Sequence, residues 1–186
     1  MAMIEVFTIL GEYRDRIALV GGWVPPLLAP DSANRHTGSL DIDLAVDTNR
    51  IGDDGYRTIR DVLIRQGYEQ SGQPFRFFRI VPVAGGEPVK VAVDFLAGEY
   101  GGTGNSHRTQ PVQDLRVRKA RGCDLVFDHT VAVRITGTMP DGARNEVKIR
   151  IAGPVPFLAM KGMALWDRKN AKDAYDIYWL VRHYPG

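Results

Sequence analysis

The chain has one cysteine, Cys123, in 186 residues, so it can form no internal disulfide. That count excludes a cysteine-based zinc finger and a disulfide framework, and leaves Cys123 as an expected buried, inert thiol. A lone thiol is compatible with a reducing compartment. Long hydrophobic runs are missing too: none approaches the roughly 20 residues that span a bilayer. The first ten residues contain Glu5 and lack the basic start and small-residue cleavage site of a secretory signal. A cytoplasmic protein with no membrane partner is therefore expected. Charge of one sign is also scarce, since 24 Lys+Arg stand against 22 Asp+Glu for a net +2. So weak an excess permits a nucleic-acid partner without arguing for one.

What is there suits an ordinary soluble fold, with 44% hydrophobic and 25% charged residues. No internal repeat or low-complexity linker divides the chain. The expectation is a single domain over 1–186, with an α/β core over 1–152 and C-terminal helices over 153–186 packed on it. A first helix is predicted over 3–16 and a buried strand at Ile17–Val20, closed by Gly21-Gly22. A helix begins near Trp23, where Pro25 and Pro26 fit its first turn, and residues 29–39 read as a loop. Strands are predicted over 40–47, 75–81, 89–96, 130–136 and 146–151. Asp53 or Asp54 is the expected cap of a helix ending at Gln66 before Gly67. A glycine-rich loop covers 99–107, and Met139-Pro140-Asp141-Gly142 signals a hairpin. Helices over 154–167 and 171–184 close an α+β fold with a mixed sheet.

Asp41-Ile42-Asp43-Leu44 carries the strongest chemical signal. Side chains alternate along a strand, so Asp41 and Asp43 share one face while Ile42 and Leu44 enter the core. Two neighbouring carboxylates beside a buried sheet repel and lose hydration, a cost relieved by protonation or by a cation between them. Mg²⁺ or Mn²⁺ suits such oxygens and keeps positions open for phosphate. The plain alternative is a solvated strand end. Asp94 stands in the apolar strand Val91–Leu96, where a lone carboxylate needs a partner. If the two strands are neighbours, three carboxylates converge as two-metal phosphoryl transfer requires, with Asp94 a candidate base or bridging ligand.

Gly21-Gly22 lets a ligand approach the backbone where a strand enters a helix, and free N–H groups there could meet a phosphate. A ligand-free tight turn is the alternative. Arg35, in the loop ahead of the acidic pair, could steady a phosphate; His36 reads as a surface histidine and Trp23 as core. Lys161 lies among Phe157, Leu158, Met160 and Met163, so its charge needs an anionic partner, which a phosphate could supply. Asp173 and Asp176 are helical neighbours, with Lys172–Asp173 a candidate ion pair on a solvated face. Arg116, Arg118, Lys119 and Arg121 form a basic cluster, and Lys148 and Arg150 share a strand face; either could serve an RNA acceptor or be solvated surface.

Gly-Gly after a strand, a helix, then Arg35-His36-Thr37-Gly38-Ser39-Leu40-Asp41-Ile42-Asp43-Leu44 resembles the DNA polymerase β-type nucleotidyltransferase superfamily. Lys161-Gly162-Met163-Ala164-Leu165-Trp166-Asp167-Arg168 and Lys172-Asp173-Ala174-Tyr175-Asp176-Ile177 sharpen the resemblance to its AbiEii-like branch, toxins of type IV toxin–antitoxin systems. The resemblance implies a nucleotidyltransferase fold and transfer of a nucleotide from a nucleoside triphosphate. It implies metal ligation by Asp41 and Asp43, with Asp94 matching the third carboxylate. Gly21, Gly22, Arg35, Thr37, Lys161 and Asp173 fall at its nucleotide-binding positions. The second glycine position is often serine in the superfamily, so phosphate contact here would rest on backbone N–H groups.

Three readings follow. The leading one is a Mg²⁺- or Mn²⁺-dependent enzyme moving NMP from an NTP to an acceptor, with RNA such as tRNA the expected acceptor and a cognate antitoxin the expected partner. The second modifies a small molecule or a protein hydroxyl. The third, of a different class, is a catalytically inert nucleotide- or partner-binding module of the same fold.

Overall fold

The apolar run Ile17–Val20 forms β1, with all four side chains buried in the middle of a mixed sheet that has nine strands among the described residues. The computed structural model describes residues 2–48, 50–51, 58–83, 85–98, 109–112, 115–139 and 142–186. On one side β1 pairs antiparallel with β2 (Ile42–Val46), on the other it runs parallel to β9 (Arg144–Ala152). Beyond β2 lie β5 (Val89–Ala97), β4 (Arg76–Val81) and the two-residue β3 (Glu69–Gln70). Beyond β9 lies the edge strand β8 (Thr130–Thr138). A further hairpin, β6 (Thr109–Val112) and β7 (Leu115–Lys119), joins through β7 running parallel to β5.

Among the described residues five α-helices accompany the sheet: α1 (Ala2–Ile9), α2 (Val24–Leu28), α3 (Ile59–Arg65), α4 (Pro154–Arg168) and α5 (Ala171–His183). The α+β class with a mixed sheet and a helical C-terminal part is as expected. The first helix is shorter than predicted, because a 3-10 turn at Gly11–Tyr13 replaces its second half. Val24-Pro25-Pro26 opens α2, where missing N–H groups cost nothing. Thr58 precedes α3, and the proposed caps Asp53 and Asp54 lie outside the described residues, as do 99–107. Met139 N–H donates to the Ala143 carbonyl at 2.7 Å, closing the predicted β8–β9 hairpin; Pro140 and Asp141 at its tip are likewise outside.

Strands β3, β6 and β7 are additions to the predicted set. Glu69-Gln70 is too short for an alternating pattern, and Leu115-Arg116-Val117-Arg118 reads as a charge cluster before it reads as a strand. The helical tail does break, as its polar stretch indicated. Lys169 takes the left-handed conformation at φ 50, ending α4, and Asn170 caps α5 by accepting the Lys172 backbone N–H at 2.9 Å. No described helix is long and apolar enough to cross a membrane.

Candidate functional site

Register brings the first two acids together. Strands β2 and β5 run parallel with Asp43 opposite Asp94, so the two strands are neighbours, as the convergence of carboxylates required. Asp41 lies one residue before β2 and is half-buried. Burial, then the Asp94 charge, push the Asp43 carboxyl up from its ordinary 3.8 to about 6, while Lys161 opposes them and Asp41 adds to them. Among the described residues no donor lies within hydrogen-bonding distance of the Asp43 carboxylate.

Asp94 differs. Only 3% exposed, it accepts two hydrogen bonds from Arg76, Nε to Oδ1 and Nη2 to Oδ2, both at 2.6 Å. Arg76 stands directly across from it in the β4–β5 register. The partner that a buried lone carboxylate needs is therefore a guanidinium in a bidentate pair. An arginine at the start of a strand antiparallel to Asp94 was the available signal, but pairing partners are not read from one sequence.

The turn between β1 and α2 closes on this acid. Gly21 has φ +76, and a Cβ there would stand 2.1 Å from Asp43 Oδ2, so only glycine satisfies both backbone and neighbour. A pocket of about 320 Å³ opens at this point, lined by Gly21, Asp43, Leu96, Met160, Lys161 and Arg168, among others. Arg118, Lys119 and Arg121 rim it, so three members of the predicted basic cluster border the acidic site; the side chain of Arg116 is outside the described ones. Arg121 also pairs with Asp167 at 3.2 Å. Arg150 is turned to structure, holding Thr130 Oγ1 at 3.0 Å and the Asp15 carbonyl at 2.8 Å.

Lys161, 9% exposed, has its anions supplied by the chain: Asp173 Oδ1 at 2.9 Å and Asp176 Oδ2 at 2.7 Å. Arg168 adds a two-pronged contact to Asp173, at 2.6 and 2.7 Å. Burial alone would raise the Asp173 carboxyl, but Arg168 and Lys161 outweigh it and hold it below its ordinary range. The acids of α5 thus form a buried network and not a solvated face, with Asp173 at 1% and Asp176 at 0% exposure. Lys172 pairs with Asp176 at 3.2 Å, one turn on, in place of the anticipated Asp173. The i, i+3, i+7 spacing of Asp173, Asp176 and Leu180 put both acids on the buried face, and that spacing was the missed signal.

His36 corrects the surface reading. Its side chain is fully buried, sandwiched near Tyr175 and Trp179 with ring centroids 5.1 and 5.0 Å away. The Gly38 N–H donates to Nδ1 at 2.9 Å, so Nε2 carries the proton and donates to Asp176 at 3.0 Å. Burial lowers its pKa and favours the neutral ring, an effect that Asp176 offsets in part. Arg35 and Thr37 on either side are exposed, away from these contacts, while Trp23 packs on the core as expected. Cys123 is buried, and burial followed by the neighbouring Asp124 pushes its thiol up to about 12, an unreactive group.

The donor chemistry bears on a cation. Asp41 and Asp43 offer oxygens of a carboxylate pair in need of positive charge, which fits a hard divalent ion. Both oxygens of Asp94 are engaged by Arg76, and among the described residues no three or more His, Cys, Asp or Glu side chains are grouped to hold a metal.

Neither models of known protein families nor curated proteins match the chain. Among solved structures, the chain resembles an antigenic nucleotidyltransferase-like protein from Paracoccidioides brasiliensis. The two share 19% identity at a TM-score of 0.51, over 97% of this chain and 75% of the other. The likeness is one of fold, and the chain has a nucleotidyltransferase-like fold.

Proposed function

We propose that the protein is a nucleotidyltransferase that binds a nucleoside triphosphate at the Gly21–Asp43 pocket and transfers NMP to an acceptor hydroxyl, breaking the α–β phosphoanhydride bond and releasing pyrophosphate and the hydroxyl proton. The observation that carries the reading is Asp43: a buried carboxylate that makes no direct ion pair among the described residues, set against Asp94 and a glycine turn at a pocket mouth. Asp41 and Asp43 would hold Mg²⁺ or Mn²⁺, which would orient the triphosphate and withdraw charge from it. Asp94, its oxygens already accepting from Arg76, serves as a paired anion that tunes Asp43 and not as the proton acceptor. Lys161, Arg168 and the rim Arg118, Lys119 and Arg121 supply positive potential around the pocket. The motif order at both ends of the chain supports the AbiEii-like branch and, with the basic rim, an RNA acceptor, tRNA included, with a toxin role checked by a cognate antitoxin. The test is incubation with Mg²⁺, labelled NTPs and total RNA; absence of label transfer, with Asp41→Ala indistinguishable from wild type, removes the reading.

A second reading has its own observation. The Arg76 clamp on Asp94 and the absence of a three-carboxylate group among the described residues favour an inert module of the same fold that binds nucleotide without turnover. Calorimetric binding of ATP with no transfer to RNA, small molecules or protein would select it.

A further inference from the structure

Gly21 and Gly22 are glycines for different reasons. Gly21 needs its positive φ; Gly22 is outside the left-handed region, so backbone geometry does not require glycine there. Space does. A Cβ on Gly22 would stand 2.9 Å from Lys172 Nζ and 3.1 Å from the Ser39 Cβ. Consecutive residues of one turn therefore face opposite charges, the Asp43 carboxylate at Gly21 and the Lys172 ammonium at Gly22.

The ion network shows which cation is free to act. Lys161, Arg168 and Lys172 converge on two carboxylates, Asp173 and Asp176, and Asp43 acts on Lys161 and Arg168 as well. Lys161 is buried with both contacts under 3 Å, and Arg168 grips Asp173 at 2.6 and 2.7 Å. Lys172 is held most loosely, by the Gly38 carbonyl at 3.1 Å and Asp176 at 3.2 and 3.4 Å, with 45% of its side chain exposed. Of the three, Lys172 is the one that stands over the Gly22 turn, with the longest contacts and within reach of solvent.

We infer that Lys172 is a phosphate-binding residue, its ammonium receiving polyphosphate oxygens over Gly22 on the opposite side of the turn from the aspartates. His36 is its positioning residue. The ring accepts from Gly38 N–H and donates to Asp176, and Gly38 and Asp176 are the two residues that hold Lys172. An ammonium suits this task, because it is a compact charge with three donors that can exchange a loose carbonyl contact for a phosphate oxygen.

The inference rests on the nucleotide-binding reading, and calorimetry on the full chain separates the two. Mg²⁺-ATP and Mg²⁺-tripolyphosphate are titrated into wild type, Lys172→Met and Gly22→Ala, with melting midpoints recorded alongside. Both variants should lose roughly tenfold or more in affinity for both ligands while Lys172→Met melts close to wild type. Gly22→Ala keeps every charge and crowds the ammonium and the Ser39 Cβ, so it carries the test should Lys172→Met fail to fold. Wild type binding neither ligand overturns the nucleotide reading and this inference together. Wild type binding, with both variants within twofold of it, overturns the role of Lys172 alone.

Discussion

Asp43 and Asp94 stand opposite one another on neighbouring parallel strands, and Arg76 neutralises only one of them. The other is left as a charge the fold tolerates at a cost. Ligand chemistry and stability are set against each other at this point.

Replacing Asp43 with Asn should therefore stabilise the metal-free protein. A carboxyl raised from 3.8 to about 6 favours the protonated form in the folded chain, so folding loses stability as pH rises between those values and the full loss persists above them. At about 1.4 kcal/mol per tenfold, the gain from Asp43→Asn is at most about 3 kcal/mol at pH 7.5. Thermal melts in EDTA should show a midpoint several degrees higher at pH 7.5 and no difference near pH 4, at about 2–4 °C per kcal/mol. An unchanged or lower midpoint at pH 7.5 contradicts the assignment. The same variant should lose NMP transfer.

Arg76→Met leaves Asp94 buried and unpaired, and should cost about 3–5 kcal/mol in urea denaturation. Arg76→Met combined with Asp94→Leu should recover most of that loss, since a buried pair and an apolar replacement are often close in stability. A single variant costing under about 1 kcal/mol would mean that Asp94 finds another partner.

His36→Phe tests the neutral histidine. A base whose folded pKa lies below its ordinary 6.5 is protonated more readily in the unfolded chain, so it withdraws stability as pH falls below that ordinary value. Relative to wild type, His36→Phe should show a flatter stability profile between pH 7 and 5. It should also weaken ATP binding, because Gly38 and Asp176 lose a shared partner. A parallel profile in both proteins would place the titration elsewhere.

Trp166 is 82% exposed on α4, and Trp166→Ala should change stability by no more than about 0.5 kcal/mol. Lys161→Ala should behave oppositely, costing about 3–5 kcal/mol, because Asp173 and Asp176 are then left deep in the protein with less countercharge. Equal effects in the two denaturation curves would contradict the buried network.

The strands and helices that alternate or repeat strongly were legible in the sequence, because period is local, although β2 starts one residue after Asp41. Asp94 was legible as an anomaly in an apolar strand, though not its partner Arg76, which depends on which strand pairs antiparallel with β5. His36 was misread because its surroundings come from α5, 140 residues away. Composition near position 36 is polar, and nothing local reports that Tyr175 and Trp179 enclose the ring. Lys161 was identified as needing an anion, yet its aspartates could be assigned only once the break at Lys169 turned α5 back against α4.

The Asp176 contacts to His36 and Lys161 impose an order on synthesis. Helix α5 leaves the ribosome after every strand of the sheet, yet it brings the groups that hold the loop ahead of Asp41 and that neutralise Lys161. A chain interrupted before residue 176 therefore lacks the carboxylate that pairs with both His36 and Lys161.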